Sequence, residues 1–171
     1  MPPLALVGSA RPDGDAATVC GLVTAELGVE PVHLGALDIR DYAYGRPAGG
    51  DDFLPLARRI AHADGVLLVT PVYWYAMSGV LKRFMDRLTD LVTVEKPLGR
   101  RLAGRGVWVA ACGSESALPD GFEVPFRRTA DYLSMVYGGI VYAPRAHLGE
   151  ADTQRRLGAF GDAIRAFSPS A

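Results

Sequence analysis

Two short segments of this chain combine residue types suited to holding a ligand. The first, Gly8-Ser9-Ala10-Arg11-Pro12-Asp13-Gly14-Asp15, joins an apolar run to an amphipathic stretch. A helix start leaves its first amide N–H groups unpaired at the positive end of its dipole, so an anion is stabilised there. Ser9 adds a hydroxyl, and Arg11 adds a planar, permanently charged fork that suits phosphate oxygens. The spacing fits neither a Walker-type loop nor the dinucleotide Gly-x-Gly-x-x-Gly pattern, and an ordinary strand-to-helix turn with a surface arginine would also account for it. The second segment, residues 70–79, reads Thr-Pro-Val-Tyr-Trp-Tyr-Ala-Met-Ser-Gly. Rings gathered at the carboxyl end of a buried parallel strand lie where open α/β sheets hold their ligands. Tyr73, Trp74 and Tyr75 therefore point to a flat aromatic ligand, the alternative being a plug for a core edge or a subunit contact.

The elements that would position these segments alternate strictly. Apolar runs at residues 4–7, 30–34, 66–69, 106–112 and 139–143 read as strands, and the run at 66–69 suits a central strand covered on both faces. Helices are expected over residues 16–27, 51–63, 79–91, 122–137 and 153–167. The helix from Gly79 is the best defined: Val80, Leu81, Phe84, Met85, Leu88 and Leu91 fall at helical spacing, with Lys82, Arg83, Asp86, Arg87 and Asp90 on the opposite, polar face. Ser78 would cap its start. Five strands and five helices in alternation predict a three-layer, doubly wound α/β domain over residues 1–171 with a parallel sheet, read here in the order 2-1-3-4-5. In that order the first and third strands are neighbours and the winding reverses between them, which opens a crevice at their carboxyl ends. Long connections at 35–50 and 113–121 reach the same rim, where long loops are often functional.

At this point the two segments resemble a known family. Gly8-Ser9-x-Arg11-x-x-Gly14, with Thr70-Pro71-Val72-Tyr73-Trp74-x-x-Met77-Ser78-Gly79-x-Leu81-Lys82-x-Phe84-x-Asp86-Arg87, is similar to the NAD(P)H-dependent FMN reductases on the flavodoxin-like fold. The motifs cover roughly the first two thirds of the chain and element order the remainder. The resemblance implies that Ser9, Arg11 and the amides of Asp15, Ala16 and Ala17 hold the FMN phosphate. It implies that Pro71, Val72, Tyr73, Trp74, Tyr75, Ala76 and Met77 line the isoalloxazine edge through backbone groups. Gly113, Ser114 and Glu115 would flank the ring's other side. One departure matters: relatives often carry Asn-Thr where this chain has Asp15-Ala16. A capping Asp15 carboxylate would compete with phosphate for the same amides.

The activity so implied is hydride transfer from NADPH or NADH through FMN to a quinone, free flavin, azo or nitro compound. Cofactor chemistry of this kind requires orientation and electrostatics from the protein rather than an acid or base, so no catalytic side chain is expected. Tyr42, Tyr44 or Trp74 are candidates to stack on the nicotinamide, with a lid or interface role as the alternative. A flavin-binding electron carrier or redox-sensing module without nicotinamide turnover is the second reading. A hydrolase is disfavoured, because no Gly-x-Ser-x-Gly elbow is present. The remaining composition narrows the field. A net charge of −1 from 18 basic and 19 acidic residues, scattered along the chain, offers no basic face for nucleic acid and no pull toward membranes. Cys20 and Cys112 stand far apart, and His33, His62 and His147 neighbour neither cysteine nor one another, so a zinc or iron site is not expected. Relatives with an iron–sulfur cluster carry cysteines in the loop that here spans 35–50, which has none. Without a charged leader or long apolar run, a cytoplasmic enzyme is expected; the exposed aromatics and the helix over 79–91 suit a homodimer, one subunit roofing the other's flavin, or a homotetramer.

Overall fold

The computed structural model of the chain describes residues 1–45 and 49–169; positions 46–48, late in the long 35–50 connection, lie outside the described residues. Three strands apolar on both faces form the centre: β1 (Leu4–Val7), β3 (Gly65–Tyr73) and β5 (Gly106–Gly113). With β2 (Val32–His33) and β6 (Val136–Pro144) they make a parallel sheet in the order β2-β1-β3-β5-β6, and the two-residue β4 (Ala76–Met77) pairs antiparallel with the end of β3. This is the expected flavodoxin-like arrangement with one small hairpin added.

Side chains alternate across the strands, so each central strand feeds two cores. Leu6, Leu68 and Val109 face α2 (Phe53–His62), α3 (Gly79–Thr93) and α5 (Val124–Tyr132), with the short α4 (Lys96–Arg100) beside them. Ala5, Val7, Leu67, Val69 and Trp108 face α1 (Asp15–Thr24) and α6 (Ala151–Arg165). Trp108 spreads into space that three glycines leave open: a Cβ on Gly65, Gly106 or Gly138 would come within 2.7, 2.0 and 2.0 Å of its ring. Phe167 meets it edge-on at 5.0 Å. The register of β5 against β6 shifts at this residue, since Val107 pairs with Tyr137 and Val109 with Ile140.

Several boundaries differ from the sequence expectation. The helix expected over 122–137 ends at Tyr132, and the following strand starts at Val136 rather than 139. Ser134 adopts φ 56°, the Met135 amide donates to the Ala130 carbonyl and the Ser134 amide to Asp131. That is a Schellman-type stop with serine where glycine is usual, and the apolar Met135-Val136-Tyr137 run conceals it. The strand expected over 30–34 is only two residues, because Leu34–Ala36 turns into a 3₁₀ helix. The third strand runs on through the segment read as an aromatic loop, to Tyr73.

The largest correction concerns α3. Arg87 and Asp90, expected on the polar face opposite its apolar residues, are buried, with side chains 6% exposed, as is the 1%-exposed side chain of Asp51. Arg87 donates from Nε to Asp90 at 2.7 Å, from Nη1 to Asp51 and to the Arg40 carbonyl at 3.1 Å, and lies 4.7 Å over the Phe53 ring. Burial alone would push the Asp51 carboxyl up; hydrogen bonds from Arg87 and from the amides of Arg40 and Phe53 outweigh it and hold the pKa below the usual carboxylate range. The cluster straps the segment before α2 onto α3.

Candidate functional site

The turn after β1 and the end of β3 are tied together by one buried hydroxyl. Ser78 Oγ donates to the Gly8 carbonyl and accepts from the Leu81 amide at 3.1 Å, capping α3 as expected, while the Ser78 amide donates to Thr70 Oγ1 at 3.1 Å. Gly8 is required by this approach: a Cβ there would stand 2.6 Å from Leu81 Cβ. The Gly8 amide also donates to the Val69 carbonyl at 2.8 Å. The two segments singled out from sequence therefore sit side by side above the carboxyl ends of β1 and β3, at the reversal point of the winding.

Between them opens a cleft of about 350 Å³. Ser9, Arg11, Asp15 and Ala16 form one wall, and Pro71, Val72, Tyr73, Gly113 and Ser114 the other. Ser9 is buried, and its Oγ accepts from the Arg11 amide at 3.2 Å, which leaves the hydroxyl proton free to donate into the cleft. Gly14 is the N-cap of α1 and no side chain caps the helix. The Ala17 amide already donates to the Gly14 carbonyl at 2.9 Å, so the amides left over for an anion belong to Asp15 and Ala16. The Arg11 guanidinium folds back above Gly14, within 3.3 Å of where a Cβ would be.

Asp15 behaves differently from the expectation. Its carboxylate does not cap the helix but reaches Arg145 on the first turn after β6, with Nε 3.3 Å from Oδ2. Arg145 lines the same cleft and was not found from sequence. Cys112 lies in the floor; burial, with a smaller contribution from the Asp15 charge, pushes its thiol up to about 12, so it stays protonated and inert.

A smaller hollow of about 150 Å³ continues the cleft past Val72 and Ser114, lined by Trp74, Tyr75, Glu115 and Tyr142 as well. Tyr142 Oη donates to the Glu115 carbonyl at 2.8 Å and fixes the loop after β5. Trp74 and Tyr75 are the two central residues of the β3–β4 hairpin, at φ 50° and 63°. Such a turn normally carries Asn-Gly, because bulky residues are strained at positive φ. Their side chains are nevertheless in water, 93% and 68% exposed. Ala76 and Met77 complete the hairpin by pairing with Tyr73 and Val72 and line neither hollow, and Ala17 lies outside them too. Tyr42 and Tyr44 pack edge-on against each other at 5.2 Å and line neither hollow.

The profile of the NADPH-dependent FMN reductases matches residues 1–137. YwqN of Bacillus subtilis, named for NAD(P)H-dependent, FMN-containing oxidoreductase activity, is 27% identical over 97 residues, 53% of this chain and 52% of its own. The chain thus spans about half the length of the curated relative it matches. Among solved structures, an NADH:FMN oxidoreductase (EMOB, apo form) superposes with a TM-score of 0.74 at 20% identity, covering 98% of this chain and 90% of that one. General stress protein 14 of Treponema denticola, solved in complex with FMN, gives 0.69 at 19% identity over 96% and 99%. At such identities these two likenesses speak for the fold.

Proposed function

The chain belongs to the NADPH-dependent FMN reductase family, and from that premise we propose that it is an FMN-dependent NAD(P)H oxidoreductase, one FMN-binding domain over residues 1–171. FMN, when bound, would supply the hydride-transfer chemistry that links NADPH or NADH to a small acceptor: a quinone, free flavin, azo or nitro compound. The observation that carries the reading is the joined pair of hollows, cationic and amide-lined at one end, aromatic and backbone-lined at the other.

The residues present fit this cofactor. Ser9 Oγ, the amides of Asp15 and Ala16 and the Arg11 fork supply donors for a phosphate and a positive helix end beneath it. Pro71 to Tyr75 and residues 113–115 supply adjoining backbone edges for a planar head group, and polar donors on such edges stabilise charge that develops on a reduced ring. No side chain is assigned an acid or base role. The exposure of Trp74 and Tyr75 supports a role in covering the head group or meeting a second subunit, and the reading includes a homodimer or homotetramer. Both cysteines are free and buried, which suits the cytoplasm, and among the described residues no helix is long and apolar enough to cross a membrane.

The test is direct. Purified protein given FMN should retain yellow colour through gel filtration, bleach anaerobically on adding NADPH or NADH, and turn over either nucleotide with a quinone. Protein that takes up no flavin removes the proposal. Flavin uptake without bleaching by either nucleotide favours the electron-carrier reading.

A further inference from the structure

Arg145 is the cleft residue that neither motif contains. We infer that it is the second phosphate-gripping cation of the flavin site, held in place by Asp15, and that this pair makes the site discriminate FMN from unphosphorylated riboflavin. The inference rests on the FMN reading above and assigns within it a residue from beyond the matched 1–137 segment.

Three observations carry it. First, Arg145 lies on the wall of the same 350 Å³ cleft as Ser9, Arg11 and Asp15, not on a separate surface. Its main chain is anchored: Ala143 and Pro144 are buried at the end of β6, and Arg156 donates to the Tyr142 carbonyl at 3.4 Å. Secondly, its ion pair with Asp15 engages Nε of the fork and leaves the side chain 67% exposed. Among the described residues no other acceptor takes its remaining N–H groups, so they stay available to a ligand. The arrangement suits a planar fork that can hold a carboxylate on one edge and a phosphate on the other.

Thirdly, the charges require it. Arg11 and Asp15 alone would cancel and leave only the helix end against a phosphate monoester of about −1.5 to −2. Arg145 turns the set net positive. Asp15, which would otherwise repel the phosphate, becomes the group that aims its counter-cation. The departure from Asn-Thr at positions 15 and 16 thereby acquires a compensation outside the motif. The same chemistry, a phosphate monoester, also occurs as the 2′-phosphate of NADPH. The shared wall with the unpaired amides of α1 favours the FMN phosphate.

The experiment titrates flavin-free protein with FMN and with riboflavin, reading loss of flavin fluorescence, and compares NADPH with NADH as donors. Arg145→Ala should weaken FMN binding about tenfold, the low end for a charged hydrogen bond at an exposed site, with riboflavin affinity unchanged. Arg145→Lys should recover part of the loss. Asp15→Asn should cost little by itself, and added to Arg145→Ala it should win back several-fold, because it removes a carboxylate left without its partner. Equal losses for FMN and riboflavin overturn the inference. So does unchanged FMN affinity, whether the pair proves a mere surface bridge or the variant instead raises the KM for NADPH alone. Wild type that binds neither flavin defeats the functional reading itself, an outcome visible before any variant is made.

Discussion

Two arginine–aspartate groups, similar in composition, sit in opposite circumstances. Arg87 is enclosed by Asp51, Asp90, the Arg40 carbonyl and the Phe53 ring, with its donors consumed by the protein. Arg145 meets one carboxylate edge at 3.3 Å and leaves the rest of its fork over a cleft. The difference teaches where to look for function in a charged cluster. A saturated, buried set holds the chain together; an unsaturated one at a cleft mouth has capacity left for something else.

Variants should separate the two roles sharply. Arg87→Ala leaves Asp51 and Asp90 buried without their cation and should cost about 3–5 kcal/mol of unfolding free energy, read from urea denaturation; a loss below about 1 kcal/mol would mean that the cluster is not the strap described here. The same cluster should make the protein acid-labile. Because the Asp51 pKa is depressed in the fold, its stabilisation is present above the usual carboxylate range and drains away as pH falls through the lowered value. Asp51→Asn should flatten the pH dependence of the urea midpoint in that acid window, and an unchanged slope would contradict the assignment. At the other end of the cleft, replacing Trp74-Tyr75 by Asn-Gly relieves two positive-φ positions. It should raise the apo protein's stability by about 1 kcal/mol, a few degrees in melting temperature, while weakening flavin binding. Arg145→Ala should shift unfolding by no more than about 0.5 kcal/mol. If it destabilised the fold as Arg87→Ala does, the contrast between the two groups would disappear.

These contrasts also explain what was legible in the sequence. Ser9, Arg11 and residues 71–75 could be found because their types cluster along the chain and each follows a strand whose apolar run is unmistakable. The parallel, doubly wound class followed from alternation and the strand order from the flavodoxin-like resemblance, and β4 escaped because a two-residue strand leaves no periodic trace. Arg87 and Asp90 fall on the polar face because helical spacing sorts residues by polarity, whereas their burial depends on Asp51, contributed by a loop. Arg145 was invisible for a related reason. Its meaning comes from a carboxylate far earlier in the chain, brought near only when β6 and α1 pack on the finished sheet. The end of α5 was missed because Ser134 takes a backbone conformation that its side chain does not advertise.

The chain holds two tryptophans, and they occupy opposite extremes. Trp108 is sealed over Gly65, Gly106 and Gly138, while Trp74 stands in water at the hairpin tip. Their emission should therefore divide by itself into a short-wavelength band that gauges the integrity of the sheet and a long-wavelength band that senses the rim. Filling of the cleft and melting of the domain can be followed in a single cuvette, without any label.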